Sequence, residues 1–324
     1  MLKFKKNDSI KKMNLFAMIF PGQGIQKKNM LNELSLQDTI VKNTFNESSS
    51  AVGYNLWKLI KNDTNNQLNY SEFIQPAILT TSVAIYRLWI DKHGYFPDIM
   101  AGNSLGEYSA LVCANAISLY DSAKLVQFRG KLMQKIIRYK QVAMSAIIGL
   151  DKKKVIDICN QQKKNQIVDP SNFNTLNQTV ISGNKSAVER VGIDCKKSGA
   201  THVIPLNINI AAHCRLMIPA ANKLSRFIKK IHFNKPTCPV INNIDVKCEF
   251  SKKKICKALV KQLSYPVRWY EIIDFIKLQG IKLILEVGSS SILTKLNINN
   301  IPITSIALNN SSNFLTAFHR IKTT

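Results

Sequence analysis

Ten residues constrain this chain more than any others: AGNSLGEYSA, at 101–110. Within them Gly102, Asn103, Ser104, Leu105 and Gly106 spell G-x-S-x-G. That pattern sets a serine on a sharp strand-to-helix turn, exposes its hydroxyl and leaves the next backbone N–H free to hold an oxyanion. Three fixed positions in five are not rare, so the surroundings must decide. They fit: 97–101 (PDIMA) reads as a short strand, and from Leu105 onward Tyr108, Leu111 and Val112 fall on one helical face. The start of that helix beneath Ser104 would favour negative charge developing there.

Strand and helix patterns alternate along the rest of the chain. NLFAMIF at 14–20 reads as a buried strand running into Pro21-Gly22-Gln23-Gly24, a turn whose glycines let backbone approach a ligand. Helical periodicity covers 75–90, with Pro76 in a first turn. Later, helices at 219–231, 255–263 and 269–279 alternate with strands at 238–245 and 282–288. Such alternation predicts a mainly parallel sheet covered on both faces. Residues 142–207 change rhythm: a strand, a helix opened by Asp151, two strands, a helix stopped by Gly199, and a last strand. The order β-α-β-β-α-β is that of a ferredoxin-like unit. The expected class is α/β, with a discontinuous core over 14–140 and 208–324, a subdomain inserted at 141–207, and 1–13 as a flexible extension.

Charge and cysteines narrow the function classes. Forty-five basic residues against 20 acidic ones give a formal charge of +25, but the basic residues are scattered, without aromatic interleaving or finger spacing. Nucleic acid is therefore not the expected partner; acidic proteins and phosphorylated ligands are. The seven cysteines (113, 159, 195, 214, 238, 248, 256) form no C-x-x-C pair, which suits reduced thiols in a cytoplasm. Cys214, beside His213, reads as a small buried filler. No apolar run reaches the length needed to span a bilayer, so no membrane association is expected.

A serine is a poor nucleophile without a base. Of the histidines at 93, 202, 213, 232 and 319, His213 stands out: it follows the inserted unit and just precedes a helix, where a loop can return it to the sheet edge. The acids between Ser104 and His213 (Asp151, Asp157, Asp169, Asp194) all fall in the insert, away from that edge. A backbone carbonyl could hold the imidazole tautomer instead. Arg129 lies in an apolar helical stretch, LVQFRGKLM, where a charge is costly unless paired. It is either half of a structural salt bridge or a fork for a substrate carboxylate. At this level the residues define an α/β enzyme with a possible serine nucleophile.

The ordered motifs FPGQGIQ (20–26), GNSLGEYSALVCA (102–114), QFRGKLM (127–133), NFNTLNQTVISG (172–183), AAHCRLM (211–217), INNIDVK (241–247) and VKQLSYPVRW (260–269) resemble one family, the malonyl-CoA:acyl carrier protein transacylases of bacterial-type fatty acid synthesis. The resemblance runs from about Leu15 onward. It implies an α/β-hydrolase-like core with the ferredoxin-like insert and an active site between them. It implies that Ser104 carries the malonyl group as an ester, in a ping-pong exchange between two thiols, and that His213 is its base and then its acid. The N–H groups of Gln23 and Leu105 would form the oxyanion hole, Arg129 would bind the malonyl carboxylate, Gln262 would orient His213 through its main-chain carbonyl, and Met133 would line the acyl pocket. Malonyl-CoA and holo-acyl carrier protein would be substrates, with no cofactor or metal, and the enzyme would be a monomer.

Three departures from the family pattern stand out. Asn103 occupies the position before the nucleophile where the family usually has His. An amide there could keep a buttressing hydrogen bond but cannot titrate, so a slower enzyme is expected. Ala212 replaces a common Ser, and GSSSIL at 288–293 replaces a more Gly/Pro-rich stretch.

Overall fold

The computed structural model describes residues 14–24, 38–63, 65–137, 141–208, 210–298 and 303–322. The expected extension at 1–13 lies outside them. In chain order the elements are β1 (Phe16–Phe20), α1 (Thr39–Val52), α2 (Leu56–Asn62), α3 (Ser71–His93), β2 (Ile99–Gly102), α4 (Gly106–Cys113) and α5 (Leu119–Ile137). Next come β3 (Val142–Ile148), α6 (Lys152–Gln162), β4 (Val168–Thr175), β5 (Gln178–Asn184), α7 (Lys185–Lys197) and β6 (His202–Pro205). The chain continues with α8 (Ile218–Ile228), β7 (Val240–Ile241), α9 (Lys252–Gln262), α10 (Trp269–Leu278), β8 (Leu283–Glu286), α11 (Ile292–Ile298), β9 (Thr304–Ala307) and α12 (Ser311–Lys322).

Five strands form a parallel sheet in the order β7-β2-β1-β8-β9. β1 is central and buried along its whole length. Phe16, Met18 and Phe20 join one apolar cluster and Ala17 and Ile19 another, so its alternate side chains feed a core on each face. The second sheet, β4-β5-β3-β6, is antiparallel, with α6 and α7 packed over a small core of its own. It is joined to the first part where Val267 N–H donates to Ser171 O and Phe173 N–H to Val267 O, each at 2.9 Å.

Several boundaries differ from the sequence expectation. The strand expected at 238–245 shrinks to two residues, because Asn242, Asn243 and Asp245 turn the chain: Asn242 Oδ1 accepts from the N–H groups of Ile244 and Asp245 at 3.0 and 2.8 Å. α3 starts at Ser71, so Pro76 lies in its second turn and not its first. The Glu72 carbonyl, which Pro76 cannot bond, accepts from the Tyr54 hydroxyl at 3.5 Å. One helix does pass a length and hydropathy test for crossing a bilayer, over Ser71–Lys92, contrary to the expectation of no such run. Over its most apolar 18-residue window 83% of the residues are buried inside the protein, as a core helix's are.

Candidate active site

Ser104 sits between β2 and α4 with φ of +53°, a left-handed conformation rare for a residue with a side chain. The flanking glycines explain how the turn closes. A Cβ on Gly106 would stand 2.0 Å from the Phe20 carbonyl oxygen, and one on Gly102 would stand 1.9 Å from the Gly106 carbonyl carbon. Backbone alone fits where β1, β2 and α4 converge. Two buried amides hold the turn from opposite sides: Ser104 N–H donates to Asn243 Oδ1 at 2.7 Å, and Gln262 Nε2 donates to Ser104 O at 2.9 Å.

Ser104 Oγ lies 2.7 Å from His213 Nε2, and His213 Nδ1 lies 2.6 Å from the Gln262 main-chain oxygen. A carbonyl only accepts, so Nδ1 carries the proton and Nε2 is left bare to accept from the Ser104 hydroxyl. His213 also has a positive φ, +60°, and its own N–H donates to Leu263 O at 3.0 Å. Ring and backbone of His213 thus hang from the C-terminal end of α9. Burial, helped by the charge of Arg129, pushes the imidazole down to about 3, so it stays neutral at ordinary pH. Asp169 is not remote from this loop, as the sequence suggested. It takes three hydrogen bonds from the Arg215 guanidinium and one from the Arg215 N–H, two residues beyond His213, but its oxygens are spent there and not on the imidazole.

Arg129 is 1% exposed, yet it has no ion-pair partner among the described residues. Its donors go to neutral groups: Nη1 to Gln75 Oε1 at 2.9 Å, Nη2 to Gln262 Oε1 at 3.2 Å and to Ser104 Oγ at 3.3 Å. The guanidinium carbon lies 5.5 Å from the centre of the Tyr108 ring. Burial holds its pKa below the usual arginine value. A buried cation held only by amides and a hydroxyl is poorly compensated, and a carboxylate arriving beside Ser104 would compensate it.

Ser104, Arg129 and His213 open onto a cavity of about 390 Å³ between the two sheets, with Met133 on its lining and Met144 and Val180 contributed by the antiparallel sheet. Gln23 and Asn103 also line it. Among the described residues neither the Gln23 nor the Leu105 N–H donates to a protein acceptor. The Gln23 side chain is held from behind by Gln75 Nε2 at 3.4 Å and Ser71 Oγ at 3.3 Å. The Asn103 side-chain amide makes no hydrogen bond among the described residues, so none of them receives the buttress that an amide there could supply. Cys214 is fully buried, its Sγ 3.3 Å from Ala211 O, and burial pushes the thiol up to about 11. His202 is exposed on β6, and His232 bonds Asn234 in an exposed turn.

Sequence reading passed over Gln75, Glu107 and Asn243. Glu107 is 2% exposed; its Oε2 accepts from Gln262 Nε2 at 2.8 Å and from Asn243 N–H at 3.0 Å. The one available signal was a carboxylate in the first turn of an otherwise apolar helix, GEYSALVC.

Residues 17–302 match the acyl transferase domain family, the class that a buried serine–histidine pair facing a carboxylate-sized cation fits. The chain is 50% identical over 310 residues to the malonyl CoA-acyl carrier protein transacylase of Buchnera aphidicola subsp. Schizaphis graminum, covering 95% of this chain and 100% of that protein. Among solved structures, the malonyl CoA-acyl carrier protein transacylase of Coxiella burnetii superposes with a TM-score of 0.93 at 41% identity, covering 96% of this chain and 99% of that one. A malonyl-transacylase in complex with its type II polyketide acyl-carrier protein gives 0.92 at 45% identity, covering 94% and 99%. The chain belongs to the malonyl-CoA:acyl carrier protein transacylase family.

Proposed function

We propose that this protein transfers malonyl groups from malonyl-CoA to the phosphopantetheine thiol of an acyl carrier protein, supplying the extender unit of fatty acid synthesis by a ping-pong exchange through a malonyl ester on Ser104. The observation that carries this is the meeting at one hydroxyl of a neutral base, His213 Nε2 at 2.7 Å, and a buried guanidinium with no ion pair among the described residues, Arg129 Nη2 at 3.3 Å. An esterase for neutral acyl groups has no use for that cation.

The steps follow from the donors present. Ser104 Oγ attacks the thioester carbonyl and gives its proton to His213 Nε2. The negative charge that forms on the carbonyl oxygen is met by the Gln23 and Leu105 N–H groups. Collapse breaks the carbon–sulfur bond and the imidazolium returns the proton to the CoA thiolate. The carrier's thiol then enters, gives its proton to His213 and takes the acyl group by the reverse sequence. Meanwhile Arg129 grips the distal carboxylate, which acetyl lacks, and Met133 packs against the three-carbon chain. Gln262 keeps the imidazole in its productive tautomer.

The parallel-sheet core is read as α/β-hydrolase-like over 14–140 and 208–324, and the antiparallel unit at 141–207 as ferredoxin-like. Its β4-β5-β3-β6 order and β-α-β-β-α-β sequence support that description. Seven free cysteines fit a reducing cytoplasm, and a formal charge of +25 suits an acidic carrier. No cofactor is invoked, and the chain acts as a monomer. Incubation with malonyl-CoA and intact mass spectrometry test the proposal. One malonyl adduct is expected, mapping to Ser104, absent in Ser104→Ala and discharged by holo-carrier protein. Hydrolysis of malonyl-CoA at the same rate with and without carrier would point to a thioesterase instead.

A further inference from the structure

The mechanism above makes no use of a buried carboxylate behind the site, that of Glu107. Glu107 does not touch the cavity or the reacting atoms, yet a single oxygen of it joins two amides that fix everything in front of it. Oε2 accepts from Asn243 N–H, and the Asn243 side chain in turn accepts from Ser104 N–H at 2.7 Å and donates to Gly102 O at 2.6 Å. The same oxygen accepts from Gln262 Nε2, which also donates to Ser104 O at 2.9 Å. Gln262 extends the link in two further directions, its Oε1 to Arg129 Nη2 and its main-chain oxygen to His213 Nδ1. Both peptide groups flanking the left-handed Ser104, the carboxylate fork and the imidazole are therefore referred to one buried acceptor.

We propose that Glu107 is a positioning residue for acyl transfer, holding the Ser104 turn through Asn243 and the His213 and Arg129 side chains through Gln262, and doing so more firmly when ionised. A charged acceptor makes hydrogen bonds about twice as strong as a neutral one. Titration of Glu107 falls in the working range: burial pushes its carboxyl up to about 7, against the opposing pull of the Gln262 and Asn243 donors and of Arg129. Of the elements packed around it, α5 presents Arg129, its own helix presents Tyr108, and α9 presents Cys256 beyond Tyr108. His213 stands on the far side of Gln262. Burial pushes Tyr108 up to about 12, raises the Cys256 thiol and pushes His213 down to about 3, so Glu107 alone of these titrates near neutrality.

The test is the pH profile of Ser104 malonylation at saturating malonyl-CoA, by rapid quench and intact mass, for wild type, Glu107→Gln and Glu107→Ala. Wild-type loading should rise several-fold through about pH 7 and level off. Glu107→Gln, which keeps an acceptor but cannot ionise, should be flat over the same range and about tenfold slower on the alkaline side. Glu107→Ala should lose a hundredfold or more in the loading constant while the KM for malonyl-CoA moves less than threefold. If Glu107→Ala does not fold, as judged by circular dichroism, the glutamine profile decides. A Glu107→Gln profile that keeps the wild-type inflection overturns the proposal. This role presupposes malonyl transfer, and the two can fail separately: wild type that takes up no malonyl sinks the function, whereas wild type that loads with an inflection unchanged by Glu107→Gln sinks only the role of Glu107.

Discussion

Arg129 Nη2 donates to Ser104 Oγ across 3.3 Å, so under the proposed function the group that would recognise the far end of the acyl chain also touches the atom that would take up its near end. On that reading recognition and reaction would share one guanidinium, and specificity for a diacid would be tied to rate as well as to affinity, since a misplaced Arg129 would disturb the hydroxyl directly.

Removing that guanidinium should separate the substrates. Arg129→Ala is expected to cut malonyl transfer by roughly a hundredfold, about 3 kcal/mol for a charge-assisted fork lost from a buried site. Acetyl transfer should fall far less or rise. Steady-state kcat/KM for malonyl-CoA and acetyl-CoA, measured side by side, checks this; equal losses would return Arg129 to a structural role.

Asn103 lines the cavity with its side-chain amide unengaged among the described residues, at the position where the sequence resemblance led to an expectation of His. Asn103→His should raise the malonyl loading rate several-fold over wild type, because an imidazole can bond and titrate where the amide does neither. Stopped-flow release of CoA compares the two, and an unchanged rate would show that the wild-type asparagine costs nothing.

Gly106→Ala should unfold the protein or lower its stability by several kcal/mol, since a Cβ there meets a backbone oxygen at 2.0 Å that cannot move without shifting β1. A denaturant midpoint within error of wild type would mean that β1 and α4 yield more easily than their packing implies. Gly24, with nothing within 4 Å of a built Cβ, meets no such steric clash, although its φ of +110° still strains alanine.

Proton uptake by the folded state should follow opposing slopes. His213 is held down to about 3 against an ordinary value of 6.5, so the unfolded chain binds more protons between those limits. Stability from that residue is lost as pH falls through the window, by about 1.4 kcal/mol per pH unit. Glu107 is raised from 4.5 to about 7, so its contribution is lost as pH rises through that window. The two cancel between 4.5 and 6.5, leaving acid destabilisation from His213 visible only below about 4.5. Glu107→Gln should expose the His213 slope up to 6.5, and His213→Gln should expose the reverse slope from 4.5 to 7. Urea unfolding across pH reads both; superimposable curves for all three proteins would contradict the assigned charge states.

Much of this was legible in the sequence because it is local. The strand before Ser104, the Asp151 cap of α6 and the Gly199 stop after α7 each rest on residues within a few positions, and the structure places them there. Arg129 was legible as a charge among apolar neighbours, and His213 by its place in the chain. Glu107, Asn243 and Gln75 were not, for a physical reason. Asn243 and Glu107 meet across 136 residues of sequence, and the one local signal, a carboxylate in an otherwise apolar helix, does not point to the partner. The expectation for 238–245 failed similarly: its apolar start reads as a strand, but the asparagines that follow spend their side chains on the backbone and bend it away.

Ser104 and His213 both occupy left-handed backbone, at φ of +53° and +60°. Each such residue costs of the order of 1–3 kcal/mol, which the rest of the molecule must offset. Among the described residues Asp63, Asn66, Asn115, Lys164 and Val246 share such backbone, so the proposed reactive pair holds part of the cost and not all of it. Replacing Ser104 by glycine should give a protein that is inert and melts at a higher temperature, so selection for thermal endurance alone would not keep this centre.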